Sequence, residues 1–83
     1  MQVTFKLYAA LSNYLPEGAE KHRIQINIDP ATTVNEIIDS YNIPRAMAHL
    51  VLINGIYLNP DKRDDAVLTD GDTLAIWPPV AGG

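Results

Sequence analysis

Cysteine is absent from this sequence. That excludes disulfide staples, thiol nucleophiles and cysteine-held zinc or iron–sulfur centres. Positive charge is scarce: six Lys and Arg stand against ten Asp and Glu, for a net charge of −4. Lys6, Lys21, Arg23, Arg45, Lys62 and Arg63 are scattered and form no stripe, so nucleic acid is not an expected partner. The acidic balance suits a solvated surface, or the approach to a basic partner. Long apolar runs are missing too. None nears the roughly 18 residues of a membrane span, so no membrane partner is expected. Met1-Gln2-Val3-Thr4-Phe5 reads as a strand rather than a signal peptide, and the expected location is the cytoplasm. There is neither a phosphate-cradling glycine loop nor a serine, histidine and aspartate pattern suggestive of a triad. The chain is therefore expected to bind no cofactor of its own and to lack an internal active site.

What remains is a small domain's worth of apolar residues, 47% of 83. A chain of this size buries roughly 60% of its unfolded surface, which supports a total stability of only about 4–12 kcal/mol. Val3, Phe5 and Leu7 alternate with Thr4, Lys6 and Tyr8, the period of a half-buried strand. Residues 9–15 suit a short helical turn, closed by Pro16-Glu17-Gly18. Ile24, Ile26 and Ile28 alternate with Arg23, Gln25 and Asn27, predicting a second strand that pairs with the first as a wide hairpin. Thr33-Val34-Asn35-Glu36 matches a capping box. Val34, Ile37, Ile38 and Tyr41 then follow at the spacing of one helix face. Pro44 ends that helix at Asn42-Ile43, and residues 45–49 suit another short turn.

Residues 50–53 are a compact apolar run, and Asn54-Gly55 is a type I′ turn signal returning the chain through Ile56-Tyr57-Leu58. Residues 59–65 are polar and are expected to loop around the outside. Thr69-Asp70-Gly71-Asp72 is a tight turn. The last strand, residues 73–77, places Leu74 and Ile76 on one face, and Pro78-Pro79 ends its pairing. Strand, strand, helix and three further strands make a two-layer α+β domain, one main helix across a mixed sheet of about five strands. No repeat or linker interrupts it, so residues 1–83 are expected to be one domain, with 78–83 as an extended C-terminal tail.

Neither His22 nor His49 has a partner at metal-ligand spacing, and both read as structural. Asp61, Asp64, Asp65, Asp70 and Asp72 do not follow the alternating ligand pattern of a calcium loop. Asp70 and Asp72 flank the turn glycine Gly71, an ordinary use of aspartate. No metal site is expected. The chemistry points instead to Gly82-Gly83. Glycine lacks a Cβ, so a diglycine enters a channel too narrow for other residues and leaves a terminal carbonyl open to attack. Pro78 and Pro79 fix two φ angles and extend the path. Six extended residues reach at most about 20 Å. A carboxylate is a poor electrophile until it is activated, most simply by adenylation, and nothing in this chain binds ATP. The activating enzyme must be a separate protein. If Phe5, Leu7, Leu74 and Ile76 point into the core, alternation turns Tyr8, Ala75 and Trp77 outward. Tyr8 and Trp77 then form an aromatic patch beside the tail, of the kind that anchors interfaces.

Residues 68–83, with Asp70-Gly71-Asp72 and the Pro-Pro-Val-x-Gly-Gly ending, resemble the end of the MoaD/ThiS sulfur carriers. The resemblance extends through Leu7-Tyr8-Ala9, Thr33-Val34 and Ile53-Asn54-Gly55 to essentially the whole chain, and the proline pair makes it closer to MoaD. It implies a ubiquitin-like β-grasp fold. It also implies that an E1-like enzyme of the MoeB/ThiF type uses ATP to adenylate Gly83, after which a sulfur donor converts the adenylate to a thiocarboxylate. In the MoaD branch the tail enters a MoaE-like large subunit and donates sulfur to precursor Z, forming molybdopterin; in the ThiS branch sulfur goes to the thiazole of thiamine. Gly82, Pro78 and Pro79 then support the tail, while Tyr8, Trp77 and Val80 contact the partner. Residues 9–15 lack the arginine that many MoaD proteins carry there. Two other functions fit the same ending. One is a ubiquitin-like modifier joined to lysine through Gly83; the other is a non-covalent interaction domain with an inert tail.

Overall fold

The computed structural model describes residues 1–79. Its elements follow the expected order: β1 (Gln2–Leu7), β2 (Arg23–Asn27), α1 (Val34–Ser40), β3 (Leu50–Ile53), β4 (Ile56–Tyr57) and β5 (Thr73–Trp77). Short 3-10 turns at Ala9–Tyr14, Arg45–Met47 and Pro60–Lys62 fill the connections. The five strands form one mixed sheet in the order β2-β1-β5-β3-β4. β1 and β5 run parallel at its centre and the other neighbours are antiparallel. The helix covers one face. This is the architecture expected of a ubiquitin-like β-grasp.

The alternation in β1 decides which face is covered. Val3, Phe5 and Leu7 are buried and meet Val34, Ile37 and Ile38 of α1, with Leu74 and Ile76 of β5 in the same cluster. Phe5 packs its ring 5.0 Å from that of Tyr41. The Asn54-Gly55 turn has both residues at positive φ, 51° and 82°. That is the type I′ geometry which lets two short strands keep their twist.

The capping box is present in full. The Thr33 side chain accepts from the Glu36 amide, and Glu36 accepts from the Thr33 amide. Val34 N donates to Ala66 O and Asn35 N to Arg63 O, so the segment before β5 caps the helix as well. These bonds satisfy amide donors that no helix can pair internally. Thr33→Ala is expected to lower stability by about 1 kcal/mol in denaturant unfolding, a loss that Thr33→Ser largely avoids.

Residues 59–65 depart from the expected solvated loop. Their middle is a 3-10 turn, and Arg63 is only 5% exposed. Its guanidinium donates to the carbonyls of Ala48 at 2.6 Å, His49 at 3.2 Å and Leu58 at 3.1 Å. Polar composition predicts solvation only on average. This arginine is held inside because one fork reaches three backbone acceptors from two connections.

The turn before β5 is held by its own carboxylates. Asp72 accepts from the Thr69 amide and from the Asn54 side chain, both at 2.8 Å. Asp70 accepts from the Gln2 amide at 2.8 Å. The Thr69 N–H, and after it the Asn54 amide, hold the Asp72 carboxyl below its ordinary value. A depressed folded-state value contributes stability that is present above the unfolded value of about 3.9 and is lost as pH falls through the folded one. Acidification from neutral to about pH 3 is therefore expected to lower the urea midpoint. In Asp72→Asn the same drop should be smaller, because that variant has already lost the ionised acceptor.

Candidate functional site

β5 delivers the chain to the tail at one end of the sheet. Its ladder closes with Tyr8 N donating to Ile76 O and His49 N donating to Trp77 O, both at 3.1 Å. Beyond Trp77 the prolines have no amide hydrogen, so pairing stops there. Pro78 is half-buried and Pro79 exposed. Val80, Gly82 and Gly83, which carry the rest of the expected site, lie outside the described residues.

Tyr8 and Trp77 do come together. Their rings are stacked, with centroids 4.2 Å apart and planes within 2°. His22, expected to be only structural, stacks on Tyr8 at 4.5 Å and 30°. Because β1 runs between β2 and β5, Tyr8 is the middle ring of a three-ring column. Two consequences follow. Trp77 is held in place before any partner arrives, and each ring gives up part of its surface to its neighbour.

Ala75 departs from the simple expectation. Register puts it on the outer face, opposite Lys6 and Leu52, yet it is only 7% exposed. It occupies a central strand between two longer side chains, and their stems shade its methyl. Leu50, which pairs with Trp77, and Leu52, which pairs with Tyr57 and Ala75, share that face. Leu50 and Tyr57 are exposed, at 37% and 50%. Sequence reasoning missed all three. Residues 50–53 are an unbroken apolar run, and an unbroken run does not announce a second face.

Among the described residues, no group of three or more histidines and carboxylates is placed to hold a metal ion. No helix among them is long and apolar enough to cross a membrane. His49 is far from the ring column in role: its backbone, rather than its imidazole, joins the site through Trp77.

Comparison with known proteins agrees with this fold. No match is found among curated proteins. SAMP1 from Haloferax volcanii has 24% identity with the chain, covers all of both chains and gives a TM-score of 0.68. The Haloferax volcanii HVO 2177 protein, at 23%, covers 100% of this chain and 87% of its own with a TM-score of 0.76. The complex of subunits 1 and 2 of molybdopterin-converting factor from Helicobacter pylori contains a chain at 17% identity, with full coverage of both and a TM-score of 0.58. At these identities the likeness is one of fold, and it is the fold that the sequence resemblance implied. A family model described as Mut7-C ubiquitin matches residues 1–82, and the chain belongs to that ubiquitin-like family.

Proposed function

We propose that this chain is a sulfur carrier whose reactive group is the Gly83 carboxylate. A separate E1-like enzyme of the MoeB/ThiF type adenylates it: a carboxylate oxygen attacks the α-phosphorus of ATP, and pyrophosphate leaves. Sulfide-level sulfur (HS−) from a sulfur donor then attacks the acyl carbon, AMP leaves with the carbon–oxygen bond pair, and a thiocarboxylate remains. Its sulfur passes to a pterin precursor held by a MoaE-like large subunit in molybdopterin synthesis. In this reading the chain is a cytoplasmic carrier subunit rather than an enzyme, and ATP is bound by its activator. Gly82 gives clearance, Pro78 and Pro79 stiffen the base of the tail, and Tyr8, Trp77 and Val80 meet the partner.

The observation that carries this reading is the end of β5. The last ladder bond, a pre-stacked Trp77 and two prolines stand in succession, with only Val80 and Ala81 between them and the diglycine. A rigid launch point lowers the entropy lost when a partner orders the tail. The Helicobacter pylori structure, which holds two subunits of a molybdopterin-converting factor together, supports a partner protein of this kind. Incubation with an E1-like enzyme, ATP and a sulfur donor should raise the intact mass by the difference between sulfur and oxygen. A mass that stays constant with every such enzyme from the source organism would sink the reading.

A second reading has its own observation. SAMP1, also solved as Haloferax volcanii small archaeal modifier protein 1, aligns with TM-scores of 0.68 and 0.66, above the 0.58 of the converting-factor chain. A modifier would use the same activation but transfer Gly83 to a lysine. Conjugates in cell extract that vanish when Gly82-Gly83 is removed would favour it over sulfur transfer.

A further inference from the structure

Arg63 is buried, and among the described residues it forms no ion pair. Its carbonyl acceptors divide into an anchor and a target. The anchor is Leu58 O, which accepts from Nε at 3.2 Å and from Nη2 at 3.1 Å. Leu58 is itself fixed, because its N–H donates to Val51 O of β3 at 2.9 Å. The Arg63 backbone is fixed as well: its carbonyl accepts from Asn35 N, in the first turn of α1, at 3.1 Å. The target is the connection between α1 and β3. Nη1 donates to Ala48 O at 2.6 Å, and Nη2 to His49 O at 3.2 Å. The first of these is shorter than the usual spacing of about 2.9 Å, as suits a charged donor.

Ala48 O and His49 N belong to one peptide group. Arg63 holds its oxygen, and its N–H donates to Trp77 O at 3.1 Å. A cation on the oxygen draws electron density from the nitrogen and makes the N–H a better donor, so the two bonds reinforce each other. The peptide is planar and stiff, so a guanidinium that fixes one side of it fixes the other. Trp77 O is where this matters. The direction of that carbonyl is set by ψ of Trp77, and the same angle sets where the next residue heads. The next angle, φ of Pro78, is closed by its ring, and neither Pro78 nor Pro79 can donate a further bond. The heading of the chain beyond β5 thus rests on one dihedral angle, and the 48–49 peptide pins it.

We propose that Arg63 is a positioning residue for the C-terminal tail: through the 48–49 peptide it fixes the Trp77 carbonyl, and so the direction in which Pro78 and Pro79 leave the sheet. This rests on the carrier reading, in which Gly83 must reach the ATP site of a separate enzyme. A base that is fixed beforehand spares that enzyme the cost of ordering it. The guanidinium touches neither the tail nor the reacting atoms and acts only through the backbone it holds.

The test has two readouts on the full chain: backbone amide exchange, and adenylation by the E1-like enzyme of the source organism. Each compares wild type, Arg63→Lys, Arg63→Leu and Ile26→Val, below the melting temperature of all four. Ile26 is a core residue of β2, at the far edge of the sheet from β3 and β4. Its truncation lowers stability without touching the 48–49 peptide. The exchange readout is the protection of His49 N relative to Asn54 N, which donates to Thr73 O at the opposite end of the β3–β5 pairing. A general loss of stability lowers both alike, whereas a loosened 48–49 peptide lowers His49 more. In Arg63→Lys this ratio is expected to fall about fivefold or more, the scale of freeing one backbone residue. KM for the chain should rise by a similar factor with kcat unchanged. Lysine keeps the charge, so lost charge accounts for neither change. Ile26→Val should leave both at the wild-type value. Arg63→Leu should exceed Arg63→Lys; if it does not fold, Arg63→Lys decides. An unchanged ratio in Arg63→Lys overturns the proposal. So does a lowered ratio with unchanged KM, which confines Arg63 to stability. A wild type that is never adenylated overturns the carrier reading and the positioning role with it. The exchange ratio, read without enzyme, judges separately whether Arg63 holds the Trp77 carbonyl.

Discussion

Arg63→Leu is expected to destabilise the protein by about 3 kcal/mol, against a total of about 4–12 kcal/mol for a domain of this size. The two opposing effects can be weighed. Leucine relieves the chain of a buried charge with no carboxylate partner, which favours the variant. It also strips the donors from the carbonyls of Ala48, His49 and Leu58. A buried acceptor left without a donor costs about 1–3 kcal/mol. With Ala48 buried and Leu58 half-buried, the lost hydrogen bonds outweigh the relieved charge. The melting temperature should fall by roughly 12–24 °C. Arg63→Lys should lie between, because an ammonium keeps the charge but cannot reproduce a planar fork. Lys62→Leu, one residue earlier and exposed, should change stability by less than about 0.5 kcal/mol. A shift that small for Arg63→Leu itself would mean that water satisfies the three carbonyls once the guanidinium is gone.

In the carrier reading, Trp77→Ala is expected to weaken docking of the MoaE-like large subunit about 30- to 700-fold, the range of a tryptophan anchor worth about 2–4 kcal/mol. The effect on folding should be much smaller. The lost stack on Tyr8 accounts for about 0.5–1.5 kcal/mol, and the ladder bond to His49 uses the Trp77 backbone, which the substitution leaves in place. Trp77→Phe keeps a ring on Tyr8 and should restore most of the stability but only part of the affinity. Titration of each variant with the large subunit, beside its thermal unfolding, separates the two. If the melting temperature falls while the dissociation constant holds, Trp77 serves only to cover its own sheet.

Most of the fold was legible because the chain states it locally. Val3, Phe5 and Leu7 alternate, Thr33 and Glu36 stand three apart, and Asn54-Gly55 admits few turns besides the one observed. Each is a short-range signal, and each element stands where it was expected. The failures are all long-range. Arg63 looks like one more charge in a polar loop, since its three acceptors lie in connections that only the folded chain brings near. Ala75 is outward by alternation and still buried, because Lys6 and Leu52 flank it only once the order β2-β1-β5-β3-β4 is known. Leu50, Leu52 and Tyr57 join Trp77 on one surface for the same reason. Of the candidate site, the pairing of Tyr8 with Trp77 followed from parity along two strands. The third ring, His22, did not, because it enters through the turn at the start of β2.

The strand order also bears on synthesis. β5, the last of this sheet's strands to be made, lies at its centre, between β1 and β3. Until residues 73–77 have left the ribosome, the β1–β2 and β3–β4 hairpins share no hydrogen bond, and the apolar faces of Phe5 and Leu7 lack half their cover. Pairing the first strand with the last is the slowest kind of contact to close. A nascent chain is therefore most vulnerable to aggregation until β5 has been made. The diglycine emerges only six residues later, so any chain that offers its tail already carries every strand needed to fold.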